Sequence, residues 1–193
     1  MRFDASRIVG IAVAGAMVLV LAKAALAGEV ADKAAQAETL LAEGKIAAAI
    51  SALDASADAF WTAAPLSFRK VLFVDSVAGF GEYSPRAQAV FAPNSALRIY
   101  AEPVGYGWTT VADGERIGFT TRVEIRDAKG VIFAKSAEPA ILEKVSKSRS
   151  HDFHITVTFD IPALKAGDYT LVLTVADEAT GKSAPVELPL TIS

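Results

Sequence analysis

Apolar and polar residues alternate over four stretches of this chain. Ile117, Phe119, Thr121, Val123 and Ile125 are separated by Gly118, Thr120, Arg122 and Glu124, and Phe153, Ile155, Val157 and Phe159 by His154, Thr156 and Thr158. Tyr169, Leu171, Leu173 and Val175 share one parity, as do Val186, Leu188, Leu190 and Ile192. A period of two sends one set of side chains into a core and the other into water, which is the pattern of antiparallel sheet. Shorter apolar runs at 70–74, 97–104 and 131–135 bring the predicted strands to seven. Turn residues separate them: Pro93-Asn94, Asp113-Gly114, Asp127 to Gly130, Ala166 to Asp168, and Thr180-Gly181. Pro103 and Pro189 cannot donate to a ladder and belong at a sheet edge or a bulge.

Before Pro65 the period changes. Ile46, Ile50, Leu53, Ala57 and Phe60 recur at steps of four, three, four and three, one stripe of a helix. A weaker stripe runs through Ala37, Leu40 and Leu41. Residues 28–64 hold 14 alanines in 37 positions, and alanine is the strongest helix former. The prediction is an antiparallel helical hairpin over 28–66, turning at Gly44-Lys45. The text AETLLAEGKIAAAISALDAS resembles part of a tetratricopeptide-type helix pair. Such repeats need about three copies to bury a continuous core, and one is visible. The resemblance therefore implies a helical cap or stalk rather than a peptide-binding array.

The first 27 residues read as an address. Arg2 and Arg7 precede an uncharged apolar run from Ile8 to Ala22, followed by Lys23 and the small-residue triplet Ala25-Leu26-Ala27. This order matches a secretory signal peptide cleaved after Ala27, and the run is short for a spanning helix. No later stretch is long and apolar enough to span a bilayer, so no stable membrane span is expected after cleavage. The expectation is a periplasmic or secreted protein, a compartment without a standing supply of ATP or reduced nicotinamide. The absence of cysteine excludes disulfides, thiolate zinc sites and a cysteine nucleophile. A formal charge of −3 argues against nucleic acid as a partner, because that binding neutralises phosphates.

Seven short strands in the 67–193 segment argue for an Ig-like antiparallel β-sandwich, so the expected class is mainly β, with the helical hairpin ahead of it. The stretch LKAGDYTLVLTVADEATGKSAPVELPLTI resembles the last two strands of bacterial Ig-like and fibronectin-III-like modules. Tyr169 lies where those folds place a tyrosine corner. Gly81, Tyr83, Tyr100 and Glu102 form a G-x-Y…lYvE pattern similar to that of secreted bacterial sandwich proteins. Neither resemblance implies an activity or a catalytic residue, since Ig-like modules serve many functions.

Several short motifs dissolve on inspection. Gly181-Lys182-Ser183 ends like a phosphate-binding loop, but its first glycine would fall on Ala176, and a strand follows where a helix is needed. Ser67 to Lys70 spells S-x-x-K outside a helix and without its partner motifs. His151 and His154, the only histidines, point to opposite faces of a strand, and no third ligand accompanies them. Asp152 and His154 share the polar face, a weak seed for a metal or proton-relay site, but His154 reads first as a solvated strand residue. Lys144, Lys147 and Arg149, interleaved with serines, read as a solvated loop. No metal, cofactor or catalytic residue is expected.

The richest segment is 80–108, where Phe80, Tyr83, Phe91, Tyr100, Tyr106 and Trp108 supply 6 of 16 aromatics. Gly105 and Gly107 flank Tyr106 so that Tyr106 and Trp108 project from a loop, where exposed aromatics make good binding anchors. Tyr83, Arg86 and Glu102 complete the candidate site. The leading expectation is an exported, non-catalytic binding module for a protein, a glycan or a cell-envelope component. One alternative is an envelope assembly protein that pairs strand edges. Another is a hydrolase with Glu82 and Glu102 as acid and base, which requires both to face one cleft.

Overall fold

The computed structural model describes residues 28–193, so the leader expected over 1–27 lies outside the described residues. Two compact units divide the chain, one ending at Ala64 and the other running Pro65–Ser193. In the first, helix α1 covers 28–42 and α2 covers Ile46–Ala63. The turn between them is set by Gly44, which takes φ 74°. Its amide donates to Leu41 O and that of Lys45 to Leu40 O, the paired bonds by which a left-handed glycine closes a helix.

The helices form as their alanine content and stripe predict, but the stripe itself is not buried. Ile46, Ile50, Leu53 and Phe60 are all more than half exposed, Phe60 at 64%. The buried positions are Ala37, Ala49, Ser56, Ala59 and Trp61. Ser56 donates to Val30 O at 2.9 Å, tying the helices together through a small side chain. Apart from Trp61 the buried positions are small residues, and none belongs to the large apolar stripe. Leu53→Ser is therefore expected to change stability by no more than about 0.5 kcal/mol, as an exposed substitution does. Ala59→Leu should destabilise by about 1–3 kcal/mol through overpacking. Thermal unfolding of both variants checks this.

The second unit is a two-sheet sandwich of eleven strands: β1 Ser67–Gly79, β2 Glu82–Pro85, β3 Val90–Phe91, β4 Ala96–Val104, β5 Thr109–Val111, β6 Gly114–Arg126, β7 Ile132–Lys135, β8 Ala140–Ser146, β9 Ile155–Asp160, β10 Gly167–Asp177 and β11 Ser183–Ile192. The small sheet has the order β2-β1-β4-β9, and the large sheet β3-β11-β10-β6-β5, with β7 and β8 also paired to β6. The class is the expected one, mainly β with an antiparallel sandwich after two helices. The strand count is higher than seven, and β3 lies parallel to β11. The extra strands are short or wet on both faces. β8, for example, carries exposed Ile141, Glu143 and Val145 and shows no apolar alternation.

Alternation holds where both sheets meet. Leu97, Ile99, Ala101, Ile155 and Val157 face Phe119, Val123, Ile125, Leu171, Leu173 and Val175, all buried. Pro103 sits at a register shift between β1 and β4, and Pro189 lies on β11 beyond the two residues that pair with β3. Tyr169 donates its hydroxyl to Lys165 O four residues upstream, the tyrosine-corner bond. Gly181, at φ 72°, closes the β10–β11 hairpin, so Gly181-Lys182-Ser183 is a turn between strands.

Candidate functional site

Strand β4 sends Leu97, Ile99 and Ala101 into the core, so Arg98, Tyr100 and Glu102 point to its outer face. Exposure is the default there, yet Tyr100 is 0% exposed and Glu102 only 6%. The cover is the β1–β2 hairpin. β1 leaves β4 after Phe73, shifts register twice, and pairs with β2 instead. The turn at Gly81, φ 74°, brings its amide to Tyr100, donating to the hydroxyl at 2.8 Å. Tyr100 in turn donates to Glu102 Oε1 at 2.9 Å. The Tyr83 ring lies 4.4 Å from that of Tyr100, and the His154 ring stacks on Tyr100 at 5.3 Å. Gly81, Tyr83, Tyr100 and Glu102, the spaced pattern seen in the sequence, are thus one hydrogen-bonded and ring-packed unit.

Two residues outside that pattern join it. Lys70, opposite Glu102 across the β1–β4 ladder, places its ammonium 5.3 Å from the Tyr83 ring centroid. The Tyr83 hydroxyl beside it, and then Glu102, raise the Lys70 pKa. Burial pushes the Tyr100 phenol up. Burial also lowers the His154 pKa, reinforced by Lys144 and opposed by Glu102. The sequence marks His154 as a strand residue or a weak ligand beside Asp152 and gives no sign of its contact with Tyr100, which lies more than fifty positions away.

His154 has a pH consequence. Its folded pKa lies below the unfolded value of about 6.5. The unfolded chain therefore binds more protons below that pH, and the stability present above it is lost as pH falls through the folded value. His154→Gln should flatten the dependence of unfolding free energy on pH below about 6.5, read by urea titration at stepped pH.

Beside this unit lies a cleft of about 500 Å³, lined by Gly79 and Phe80 of the hairpin, Leu142 to Lys144 of β8, and 152–156. It combines apolar walls with Lys144, Asp152, His154 and Thr156, within the size usual for ligand sites. Neither Glu82 nor Glu102 lines it. Glu102 is buried under Tyr100 and Glu82 is exposed at the hairpin turn, so the two carboxylates do not meet the requirement of facing one cleft. Among the described residues no group of His, Asp and Glu side chains could hold a metal ion.

Tyr106 and Trp108 differ from the projecting loop expected of them. Tyr106 is 1% exposed, packed edge-on to Phe119 and Phe153, and its hydroxyl donates to Ser150 O at 2.8 Å. A buried ring cannot contact a ligand directly; it holds the segment that leads into the cleft. Trp108 is half-buried, beside the His151 ring and under the Arg149 guanidinium. The loop is tied from the other side as well. Buried Asp177 accepts from the Gly107 amide at 2.9 Å and from the Thr180 hydroxyl, while Lys182 donates to Gly105 O. Gly107 is needed for space: a Cβ there would come within 2.6 Å of Thr180 Cγ2.

Arg86 stands apart. It donates to Asp75 Oδ1 and to Val90 O and lies 4.5 Å over the Phe91 ring. It fastens β1 to the β3 segment and has no place in the Tyr83–Glu102 unit.

No protein-family model and no curated protein matches the chain. Solved structures similar to it include CopC from Methylosinus trichosporium OB3b, at 17% identity over 64% of this chain and 94% of that one, TM-score 0.33. The CARDB domain of a Pyrococcus furiosus protein, solved with di-metal ions, is similar at 13% identity, 65% and 94% coverage, TM-score 0.31. The PmoD soluble domain from Methylocystis sp. ATCC 49242 follows at 12% identity, 67% and 97% coverage, TM-score 0.28. At these values the likenesses assign no ligand and no site to this chain.

Proposed function

We propose that this chain is an exported, non-catalytic binding module that takes a protein, glycan or other cell-envelope component in the cleft between Phe80, Lys144 and His154. The observation carrying this reading is the assembly of Gly81, Tyr83, Tyr100, Glu102 and His154 into one packed unit that meets a cleft of about 500 Å³ through His154. Buried polar networks of this kind order the backbone around them, and a rigid hairpin holds Phe80 at the cleft without loss of entropy on binding. Tyr106 and Trp108 act through the 149–154 segment as positioning residues. The leader-like sequence of 1–27 supports export, and among the described residues no helix is long and apolar enough to cross a membrane.

Two measurements test the reading. N-terminal sequencing of the exported protein should begin at Gly28; an intact Met1 in the membrane fraction would reverse the expectation of cleavage. Immobilised protein should retain an envelope component that Phe80→Ala and Lys144→Glu release by about tenfold or more, with both variants shown to be folded. Equal retention by all three would move the interface away from the cleft.

A further inference from the structure

The large sheet runs past the buried core at β8. On β6, Ile117, Phe119 and Thr121 are buried in the core. Their direct partners on β8 are Lys144, Leu142 and Ala140, which share the inward face. These three are not buried: Leu142 is half-exposed, Lys144 and Ala140 exposed. The inner face of β8 is therefore left uncovered beside a stretch of β6 whose own inward face is buried. The small sheet ends at β9, which among the described residues pairs only with β4.

The β9 edge offers the bonds such a strand would use. Ile161 N donates to Ser95 O, and the register continues through Leu97–Phe159, Ile99–Val157 and Ala101–Ile155. Antiparallel partners alternate between bonded and non-bonded pairs, so these odd-numbered residues of β9 bond to β4. The N–H and C=O of Thr156 and Thr158 then turn to the open side. Thr156 lines the cleft together with Leu142 and Lys144 of β8, and exposed Thr158 continues the same edge beyond it.

We infer that the cleft is an acceptor slot for an extended polypeptide segment of a partner, added to the small sheet as a fifth strand beside β9. This rests on the cleft-binding reading and names its ligand class. The segment pairs its backbone with Thr156 and Thr158. Alternate apolar side chains cover Leu142 and the stem of Lys144, and the intervening ones face Phe80 and His154. A polypeptide suits the slot better than a glycan because the unmet groups form a row of backbone donors and acceptors at strand spacing, about 6.6–6.8 Å for every second residue.

The test uses the purified exported protein and terminally blocked heptapeptides that alternate threonine with valine, leucine or phenylalanine. Amide exchange and chemical shifts are followed by NMR. At least one peptide is expected to slow exchange of the Thr156 and Thr158 amides by about tenfold. A peptide N-methylated on the pairing edge should bind about tenfold more weakly, as loss of a backbone hydrogen bond entails. Thr158→Pro removes an open-side N–H and leaves the β4 ladder intact, and should weaken binding likewise. Leu142→Lys is a second variant, placed where the fold already tolerates exposure. Peptides that bind without protecting Thr156 and Thr158, or with no sensitivity to N-methylation, would overturn the strand-addition inference. So would a glycan that shifts the cleft resonances while every peptide fails, and the binding-module reading would then stand. Self-association that protects the same amides would replace the partner segment with a second copy. Failure of peptides, glycans and envelope extract alike would overturn both readings.

Discussion

Tyr100→Ala is expected to lower the unfolding free energy by about 3–5 kcal/mol, the range for emptying a buried aromatic site. The ring is fully buried, and it is packed by Tyr83 on one side and His154 on another. Tyr100→Phe isolates the hydroxyl. It removes no packing, but it leaves the buried Glu102 carboxylate without the donor at 2.9 Å and the Gly81 amide without its acceptor at 2.8 Å. Leaving such groups unsatisfied costs about 1–3 kcal/mol. Urea unfolding should show lower midpoints with unchanged slopes. Tyr100→Phe combined with Glu102→Leu should destabilise less than the sum of the single variants, because the second change removes the group that the first one orphaned. An additive pair would show that the bond contributes nothing. Burial also raises the phenol pKa of Tyr100 and of Tyr106 above the unfolded value of about 10. The folded state keeps those protons longer, so this contribution is complete below about pH 10 and is lost as pH rises through the folded values.

Asp177→Ala should have the second large effect, about 2–4 kcal/mol, with a functional readout attached. The carboxylate is 1% exposed and gathers the Gly107 and Ala179 amides and the Thr180 hydroxyl. Bonds to a charged acceptor contribute about 1.5–3 kcal/mol each but are not additive within one network. Its loss removes the tie at Gly107 and leaves the Gly105–Trp108 loop held to the β10–β11 turn only by the Lys182 bond to Gly105 O among the hydrogen bonds described. Tyr106 then loses its seat against Phe119 and Phe153, and with it the anchor on Ser150 O. Exchange protection in 149–154 should fall along with stability, and binding in the cleft should weaken although Asp177 lies outside it. Gly107→Ala should reproduce the effect by crowding, since its Cβ would meet Thr180 and Ala179. A variant that unfolds more easily yet keeps 149–154 protected would sever the proposed link between this loop and the cleft.

The candidate site was legible in pieces. Tyr83 and Glu102 are site candidates in the sequence and Tyr100 belongs only to the spaced pattern, and the structure brings the three together. Lys70 on β1 and His154 just ahead of β9 belong with them, but both lie far from Tyr100 in the chain, and nothing local marks such a partner. Tyr106 and Trp108 were read as anchors because aromatics between glycines suggest an exposed turn. Gly107 instead serves close packing against Thr180, and the loop is drawn inward. Arg86 looked like site charge and is a fastening between β1 and the β3 segment.

Periodicity alone settles which residues of β6, β10 and β11 face inward, because a strand has only two faces and one must be apolar to pack. The same logic fails for α2, where the regular apolar stripe is exposed while Ala49, Ser56, Ala59 and Trp61 are buried. Helix pairing depends on how closely two backbones approach, and periodicity carries no distance. It fails again at Tyr100 and Glu102, which sit on an outward face and are buried nonetheless. Their burial comes from a hairpin that leaves its own sheet and folds over them, and that path is set by register shifts in β1 and by contacts between segments far apart in the chain.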